Sequence, residues 1–313
     1  MVMTLIKRVA SAVTLMVCMS ALVYALASVG GVDPARQLLG SDAGDAEVAE
    51  LNHSLGVDRP LMVQFTDWIA GVARGDLGRS YVDGRPVTDK LSAAFPVTIS
   101  MVLLTLVVVM VLSLGLAMLA TRGGAWADRI VQLLMLAGHV VPGYLAGLLL
   151  LLLFAVQIRI FPVFGYVPFA QSPGGWLTSL VLPVTALALG GIAGAALQAR
   201  GALLDVLDAD YIRTLRSRGI PARSVLWRHA LRNATPPWLT SLSLAFVAMI
   251  GGALLIEKVF AMPGLGTLAV DATLSGDRPV IMGLVVLTGS LVVLVNLLTD
   301  LLQLWLVPKA RAA

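Results

Sequence analysis

The chain has 313 residues, of which 13% are Asp, Glu, Lys or Arg and 58% are apolar. A soluble domain carries about 25% charged residues, so this composition excludes an ordinary water-soluble protein and predicts that lipid surrounds most of the chain. The net charge of +4 is too small to indicate nucleic-acid binding, a single cysteine excludes an internal disulfide framework, and three scattered histidines suggest no metal site.

Six stretches without a charged residue predict six membrane-spanning helices. A helix needs about 20 apolar residues to cross roughly 30 Å of hydrocarbon, and each stretch is long enough. We place the spans at about 9–30, 94–120, 130–157, 176–199, 236–257 and 280–305. The predicted fold class is therefore an all-α polytopic membrane protein, with one transmembrane domain over 1–313.

The first span also has the features of a signal sequence. Lys7 and Arg8 precede it, and Ala25-Leu26-Ala27 resembles a signal-peptidase site. Its charge-free run of 24 residues is longer than the usual signal-peptide core of about 7–15 residues, which favours a retained helix.

Basic residues near the span ends predict that both termini lie inside, N-in and C-in. With this orientation the inner segments hold most of the basic residues, including seven arginines between 200 and 232. The long 33–90 segment then lies outside, which suits its net negative charge.

The outer 33–90 loop is predicted to contain an amphipathic helix. Asp58 before Pro60 is a plausible start signal, and Gly75 and Gly78 end the pattern. Ordinary packing is favoured over substrate binding for this helix. Its apolar residues recur at helical spacing: Leu61, Met62, Phe65, Trp68, Ile69 and Val72.

Small residues within the spans predict close helix packing. They form two motifs, Gly143-x-x-x-Gly147 and Gly190-x-x-x-Gly194, which are typical of helix contacts in membranes. Pro142 and Pro183 are expected to kink their helices.

The spans contain few polar residues, chiefly Gln132, His139, Gln198 and Asn296. For His139 and Asn296 a packing role is favoured over ligand binding. No carboxylate lies at mid-span, whereas a proton-coupled transporter usually carries an acidic or histidine relay there. No glycine-lysine pair is present either, which excludes an ATP-binding P-loop. A chain of this kind needs a partner to supply energy.

The inner segment 205–235 is rich in arginine and too polar to enter lipid. Asp210 is expected to cap a short helix from Tyr211, Gly219 to end it in a left-handed conformation, and Pro221 to begin a second short helix. The arginines either fix membrane topology or form a rigid element that fits into the cleft of a partner; composition leaves both interpretations open.

The same segment resembles the cytoplasmic coupling loop of ABC importer permeases of the dipeptide/oligopeptide/nickel family. The chain reads DYIRTLRSRG at 210–219 and RHALRNA at 228–234, close to the pattern of that family. Compared with the general importer motif EAA-x3-G, only Gly219 is kept, and Arg213-Thr214-Leu215 replaces Glu-Ala-Ala.

Further motifs of this family follow the same order along the chain. LGVDRPLMVQF occupies 55–65, GDLG with Ser80 begins at 75, Gly84-x-Pro86-Val87 follows, and EKVF with PGLG occupies 257–266. NLL-x-Asp at 296–300 and Pro308 resemble the closing motif.

The resemblance implies a type I ABC importer transmembrane domain in the bacterial inner membrane. Its partners would be a second homologous permease, two ATPase subunits that bind ATP and magnesium, and an extracytoplasmic substrate-binding protein. The permease itself would have no catalytic residue, no cofactor and no metal. We expect these residues to contact the ATPase: Tyr211, Arg213, Thr214, Arg216, Arg218, Gly219, Arg223, His229 and Arg232.

For Glu257 with its neighbours, and for His229, more than one role is compatible with the sequence. Glu257, Pro263, Gly264 and Gly266 form a possible extracytoplasmic gate or loop, in which a structural role for Glu257 is favoured over substrate contact. His229 is expected to pack or hydrogen-bond at the ATPase interface and not to act as a pH switch.

Peptides are the favoured cargo, because no histidine or cysteine cluster suits a bare metal ion. The alternatives are import of nickel, metal chelates or glutathione by the same machinery, a secondary transporter, or a membrane scaffold.

Overall fold

The computed structural model describes residues 2–29, 33–40 and 42–306, and these are mostly helical. The helices in chain order are α1 Val2–Val29, α2 Pro34–Leu39, α3 Asp45–Ser54, α4 Leu61–Val72, α5 Val87–Arg122, α6 Gly124–Val140, α7 Gly143–Leu150, α8 Pro173–Leu207, α9 Asp210–Ser217, α10 Ala222–Ser224, α11 Leu231–Val259, α12 Leu265–Leu274 and α13 Arg278–Leu306. A π-helical segment, Leu151–Gln157, extends α7, and another, Val225–Ala230, joins α10 to α11.

Among the described residues, five helices are long and apolar enough to cross a membrane, or six if the bent pair α6 and α7 counts as one span. The five are α1, α5, α8, the continuous helix 222–259, and α13. The exact number of spans and the N-in/C-in orientation remain predictions.

The third predicted span, 130–157, is not one straight helix. Its two halves, α6 and α7, lie at 92° to each other across a break at 141–142. Val141 is extended, with ψ of 117°, because a residue before proline avoids the helical region, and Pro142 lacks the N–H that a continuous helix would use. Pro183, in contrast, lies inside α8 without ending it.

Several helices extend beyond the spans that hydropathy predicts. The most marked case is the fifth, which is predicted from 236 but begins at 222 in the structure. Pro236 and Pro237 lie inside this helix. Hydropathy detects only the length that suits lipid, and a helix continues into polar sequence for as long as its backbone hydrogen bonds allow.

The chain divides into two compact units, 1–98 with 263–293 and 99–262 with 294–313. The core of the first unit comes from α5, α12 and α13, and is formed by Val87, Leu91, Ala94, Leu265, Ala272, Val280 and Leu284. Within the same unit the backbone N–H of Leu265 donates to the Thr98 hydroxyl at 2.8 Å, which fixes the start of α12.

Helix α4 covers the amphipathic segment in the first unit. Its one fully buried residue is polar: Gln64 accepts a hydrogen bond from the Tyr24 hydroxyl of α1 at 2.8 Å. Phe65 stacks on Trp68, whereas Leu61 and Met62, which the sequence places on the apolar face, are exposed. The buried face of α4 is therefore narrower than its apolar pattern predicts.

The core of the second unit lies between α8 and its neighbours. Small residues of α8, such as Ala193 and Ala196, pack against Val131 and Met135 of α6. At the end of this interface the Arg200 guanidinium binds the Asp128 carboxylate with two hydrogen bonds, of 2.5 and 2.6 Å. Gln132 donates to the same carboxylate.

Candidate functional site

The 205–235 segment contains one short separate helix, α9. It begins at Asp210 with Ala209 in the cap position, and no side chain caps it, so the predicted capping role of Asp210 is wrong. Asp210 instead lies in the first turn, where a negative charge favours the helix dipole. Ile212 is completely buried and anchors α9 to the second unit.

Gly219 ends α9 in the left-handed conformation that the sequence predicts, with φ of +77°. The N–H of Gly219 donates to the Arg216 carbonyl at 3.0 Å, and the N–H of Ile220 donates to the Leu215 carbonyl at 3.3 Å. These two bonds form a Schellman motif, which satisfies carbonyls at the helix end. The chain direction after α9 therefore depends on this glycine.

The second predicted short helix is not a separate element. From Ala222 the chain runs through the π-helical segment into α11 as one helix that ends at Val259. Asn233 donates to the Tyr211 hydroxyl at 2.8 Å and so links this helix to the first turn of α9. His229 is half-buried on the helix, beside the buried Leu226 and Ala230.

Most of the predicted coupling residues are exposed. Arg213 pairs with Asp210 at 3.5 Å, but both side chains are largely in solvent, and a pair of this kind contributes little stability. The Thr214 hydroxyl donates to the Asp210 carbonyl at 3.2 Å. The exposed members of the set are Tyr211, Arg213, Thr214, Arg216, Arg218, Gly219, Arg223 and Arg232.

A cavity of about 340 Å³ lies beside α9 and has a basic lining. Arg122, Arg216 and Arg223 contribute three guanidinium groups, and no acidic residue is among the residues that line it. Arginine makes directional hydrogen bonds to carboxylates and carbonyls, so this cavity suits an acidic or carbonyl-rich segment of another protein. The sequence analysis did not assign Arg122 to this surface, because it is about ninety residues away in the chain.

A larger cavity of about 610 Å³ lies in the second unit between α7, α8 and α11. Gly190 and Gly194 line it, and a Cβ atom on either would meet no atom within 4 Å, so no helix of the described chain packs closely against these two glycines. At Gly147, in contrast, an added Cβ atom would lie 3.4 Å from the side chains of Ala186 and Ile256, so α7 packs closely against α8 and α11 there. Tyr144, Gln198 and Ser241 supply the polar side chains of this cavity.

The four residues of the possible outer gate fall in different units. Glu257 is completely buried in the second unit, where its backbone carbonyl accepts a hydrogen bond from the Met262 N–H at 2.8 Å. In the first unit, Pro263 precedes Gly264, the cap residue of α12, and Gly266 lies in the first turn of that helix. The segment after Glu257 thus contains a helix where the sequence predicts a loop.

Among the residues that the structure describes, no group of three His, Cys, Asp or Glu side chains could hold a metal ion. Some residues named in the sequence analysis lie outside the description: the side chains of Lys7, Arg8 and His139, and the segment 307–313 with Pro308.

Two family models match the chain. The model described as "Binding-protein-dependent transport system inner membrane component" matches residues 110–312, and the model of the N-terminal part of such membrane components matches 1–102.

Relatives match over almost the full length. Proteins of Brucella abortus (strain 2308) and Brucella melitensis, whose names contain the words "peptide transport system permease protein", are 39% identical over 308 residues, 98% of both chains. A probable D,D-dipeptide transport system permease protein of Escherichia coli (strain K12) is 35% identical and covers 88% of both chains. A glutathione transport system permease protein of Pectobacterium atrosepticum is 34% identical and covers 98%.

The solved structures share the fold at low sequence identity. A chain of the MetNI methionine ABC transporter in an inward-facing conformation superposes with a TM-score of 0.57 at 18% identity, covering 70% of this chain and 96% of that one. A chain of an amino acid ABC transporter gives 0.52 at 15% identity, covering 69% and 94%.

Proposed function

The chain belongs to the family of binding-protein-dependent transport system inner membrane components, and on this basis we propose that it is the permease subunit of an ATP-driven ABC importer of peptides. It supplies half of the translocation pathway, and a second homologous permease supplies the other half. The single observation that carries this proposal is α9, a short anchored helix with an exposed arginine surface, directly linked to a helix that is apolar enough to span the membrane.

In the proposed mechanism α9 receives the movement of an ATPase partner. Ile212 fixes α9 to the second unit, and the Tyr211–Asn233 hydrogen bond connects it to the helix 222–259. A displacement of α9 therefore acts on the second unit through Ile212 and on the helix 222–259 through the Tyr211–Asn233 bond. Shifts of packed helices are a common means of coupling two states. The ATPase subunits hydrolyse ATP, and this chain contributes no catalytic group.

The apolar cavity between α7, α8 and α11 is the proposed permease surface of the translocation pathway. Its glycine-rich wall presents backbone and small side chains, and no charged residue is among the residues that line it, so no ion pair would hold a cargo tightly. Such a surface suits a pathway through which peptides of varied sequence move, while a separate binding protein selects them. Glutathione, a tripeptide derivative, is a second cargo of the same class, and one relative is named for its transport.

Reconstitution of the complex into liposomes tests the transport proposal. We expect uptake of a labelled dipeptide that requires internal ATP together with an external binding protein and both ATPase subunits. Uptake driven by a proton or sodium gradient without ATP would contradict the proposal and indicate a secondary transporter.

Cysteine crosslinking tests the position of α9. In a Cys18→Ser background, Thr214→Cys is expected to crosslink to the ATPase subunit through a bifunctional maleimide. Ala70→Cys, exposed on α4, is the matched control and should form no such product. Equal crosslinking of both variants, or of Ala70→Cys alone, would overturn the assignment of α9 to the ATPase.

A further inference from the structure

The first unit buries an arginine whose charge is not neutralised within the described chain. Arg278, the first residue of α13, is only 8% exposed, and its Nε and Nη1 atoms have no hydrogen-bond partner among the residues that the structure describes. A buried guanidinium without an anionic partner is unfavourable, because the neutral Tyr24 hydroxyl beside it does not replace the hydration that it has lost. The surroundings of Arg278 therefore indicate a missing anion.

Asp277, which precedes Arg278 in the chain, and Asp67, which lines the same cavity as Arg278, both have carboxylates that are already bound elsewhere. Asp277 accepts hydrogen bonds from the Ser80 hydroxyl at 2.5 Å and from the Tyr81 N–H at 3.0 Å. Asp67 pairs with the Arg59 guanidinium at 2.6 Å. Neither carboxylate forms an ion pair with Arg278 among the described contacts. The positive charge of the Arg278 guanidinium is therefore not balanced by either of them.

Arg278 lines a cavity of about 150 Å³ whose walls come from α1, the segment 55–68 with α4, Tyr81 and the start of α13. Trp68 also lines the cavity, and its indole N–H is buried without a partner among the described residues. Two kinds of unpaired donor, a guanidinium and an indole, thus lie at one small cavity. Stacking of Phe65 on Trp68 holds the indole in place.

The other polar groups of the cavity do not balance the charge. The Gln64 amide donates to the carbonyls of Val57 and Arg59 and accepts a hydrogen bond from the Tyr24 hydroxyl. These bonds occupy both the N–H and the oxygen of the Gln64 amide. Burial raises the pKa of Tyr81 to about 12, so its phenol is neutral at physiological pH. Since Arg59 is paired with Asp67, the cavity has a net charge of one positive unit.

We propose that this cavity is a binding site for a small monocarboxylate, whose oxygens accept hydrogen bonds from Arg278 and Trp68. One negative charge balances the one excess positive charge, and a carboxylate accepts charge-assisted hydrogen bonds from arginine with favourable geometry. A cavity of 150 Å³ between aromatic rings and Met282 has room for a carboxylate with a short apolar group. The carboxylate comes either from a free small acid or from the C-terminus of a short peptide.

Thermal unfolding of the full chain in nanodiscs, with any subunits that copurify, tests the site. N-acetylglycine and N-acetylglycinamide differ in charge but hardly in shape. At constant ionic strength we expect the acid to raise the midpoint of unfolding by several degrees and the amide to leave it unchanged, because a ligand that binds only the folded state stabilises it. An equal effect of the amide, or of inorganic phosphate, would overturn the assignment of the site to carboxylates.

Glycylglycine distinguishes the two sources. Stabilisation by N-acetylglycine alone indicates a free acid as the ligand, and stabilisation by both compounds indicates that a peptide C-terminus also binds. Both results support the site, and neither depends on transport, so the test is independent of the proposed function.

Two variants locate the effect. Arg278→Gln is expected to abolish the shift with the acid, while unliganded Arg278→Gln unfolds at or above the wild-type midpoint because an unpaired buried charge is gone. Arg74→Gln removes the same charge from an exposed position in the same unit and should keep the full shift. A shift that persists in Arg278→Gln contradicts the proposal. If that variant does not fold, Arg278→Lys, which keeps the charge, should retain a weakened shift.

Discussion

Asn233 donates a hydrogen bond to the Tyr211 hydroxyl at 2.8 Å and thereby joins two helices that are separated by a glycine-dependent turn. The contact lies in the exposed segment, so it contributes about 1 kcal/mol at most to stability. Its importance is positional, since it is a direct polar link between the first turn of α9 and the helix 222–259.

Loss of this link is expected to weaken coupling more than folding. Asn233→Ala and Tyr211→Phe should each lower ATP-dependent uptake by roughly two- to five-fold, the equivalent of up to about 1 kcal/mol, with little change in expression. The double variant should be no worse than either single variant, because both remove the same bond. Additive losses in this double-mutant cycle, measured in proteoliposomes, would show that the bond is not the shared cause.

Gly219 is expected to be essential for its backbone conformation and not for space. A Cβ at this position would meet no atom within 4 Å, yet φ is +77°. Gly219→Val should cost about 1–3 kcal/mol and abolish transport or assembly, since a β-branched residue strongly disfavours this region. Gly219→Asn is the matched control, because asparagine tolerates the left-handed conformation, and it should keep most activity. Normal assembly and uptake by Gly219→Val would refute the role of the turn.

Gly283 on α13 is expected to tolerate no side chain. A Cβ there would lie 2.5 Å from the Cγ1 atom of Val87 in the core of the first unit. Gly283→Ala should therefore destabilise the protein by about 1–3 kcal/mol through overpacking. Gly289→Ala on the same helix places its Cβ at an ordinary 3.7 Å from Met16 and should be nearly neutral. Thermal unfolding in detergent compares the two, and equal midpoints would contradict the packing described.

The Asp128–Arg200 pair is expected to hold α6 against α8. Asp128→Asn leaves a partly buried guanidinium with weaker acceptors and should destabilise the second unit by about 1–3 kcal/mol. Asp205→Asn, exposed near the end of α8, removes the same charge and should have little effect. Chemical unfolding of both variants tests the difference; similar losses would mean that net charge, not the pair, is responsible.

The exposed His53–Asp58 pair predicts a local pH dependence. Its hydrogen bond, of 2.6 Å, raises the pKa of His53 above the ordinary value and, from the other side, lowers the pKa of Asp58. The pair therefore contributes fully below the ordinary histidine value of about 6.5, and its contribution is lost as the pH rises through the raised pKa. At the acid end it weakens as the pH falls below the ordinary aspartate range.

Histidine-selective NMR measures this titration. The midpoint of His53 should lie above the ordinary histidine range, and Asp58→Asn should return it to that range. Assignment comes from His53→Gln. A midpoint of His53 that does not respond to Asp58→Asn would exclude the pair as the cause.

Sequence reasoning predicted those parts of the fold in which lipid imposes the pattern. Apolar length alone located α1, α5, α8, α11 and α13, since a spanning helix must present apolar surface along its whole length. It did not predict where the helices continue beyond lipid, because the start at 222 depends on backbone hydrogen bonding. The break before Pro142 had a signal in the proline, but hydropathy carries no information about a 92° bend.

The candidate coupling site was predicted in part. The spacing of Asp210 and Gly219 marks a short helix, and the positive φ of Gly219 follows from its residue type. The Tyr211–Asn233 bond and the contribution of Arg122 could not be predicted, because they depend on which helix faces are brought together. The Arg278 cavity has no sequence signal at all, since its walls come from four separate segments of the chain.

The adjacent prolines at 236 and 237 give the helix 222–259 an uneven stiffness. Neither proline can supply an N–H to the preceding turn, so two successive backbone hydrogen bonds are absent a few residues after Asn233. A helix that lacks two successive backbone hydrogen bonds bends most easily at that point and stays rigid on either side. The helical segment before the prolines, which contains Asn233, can therefore tilt as a rigid unit. The apolar segment after the prolines does not have to change its direction when it does so.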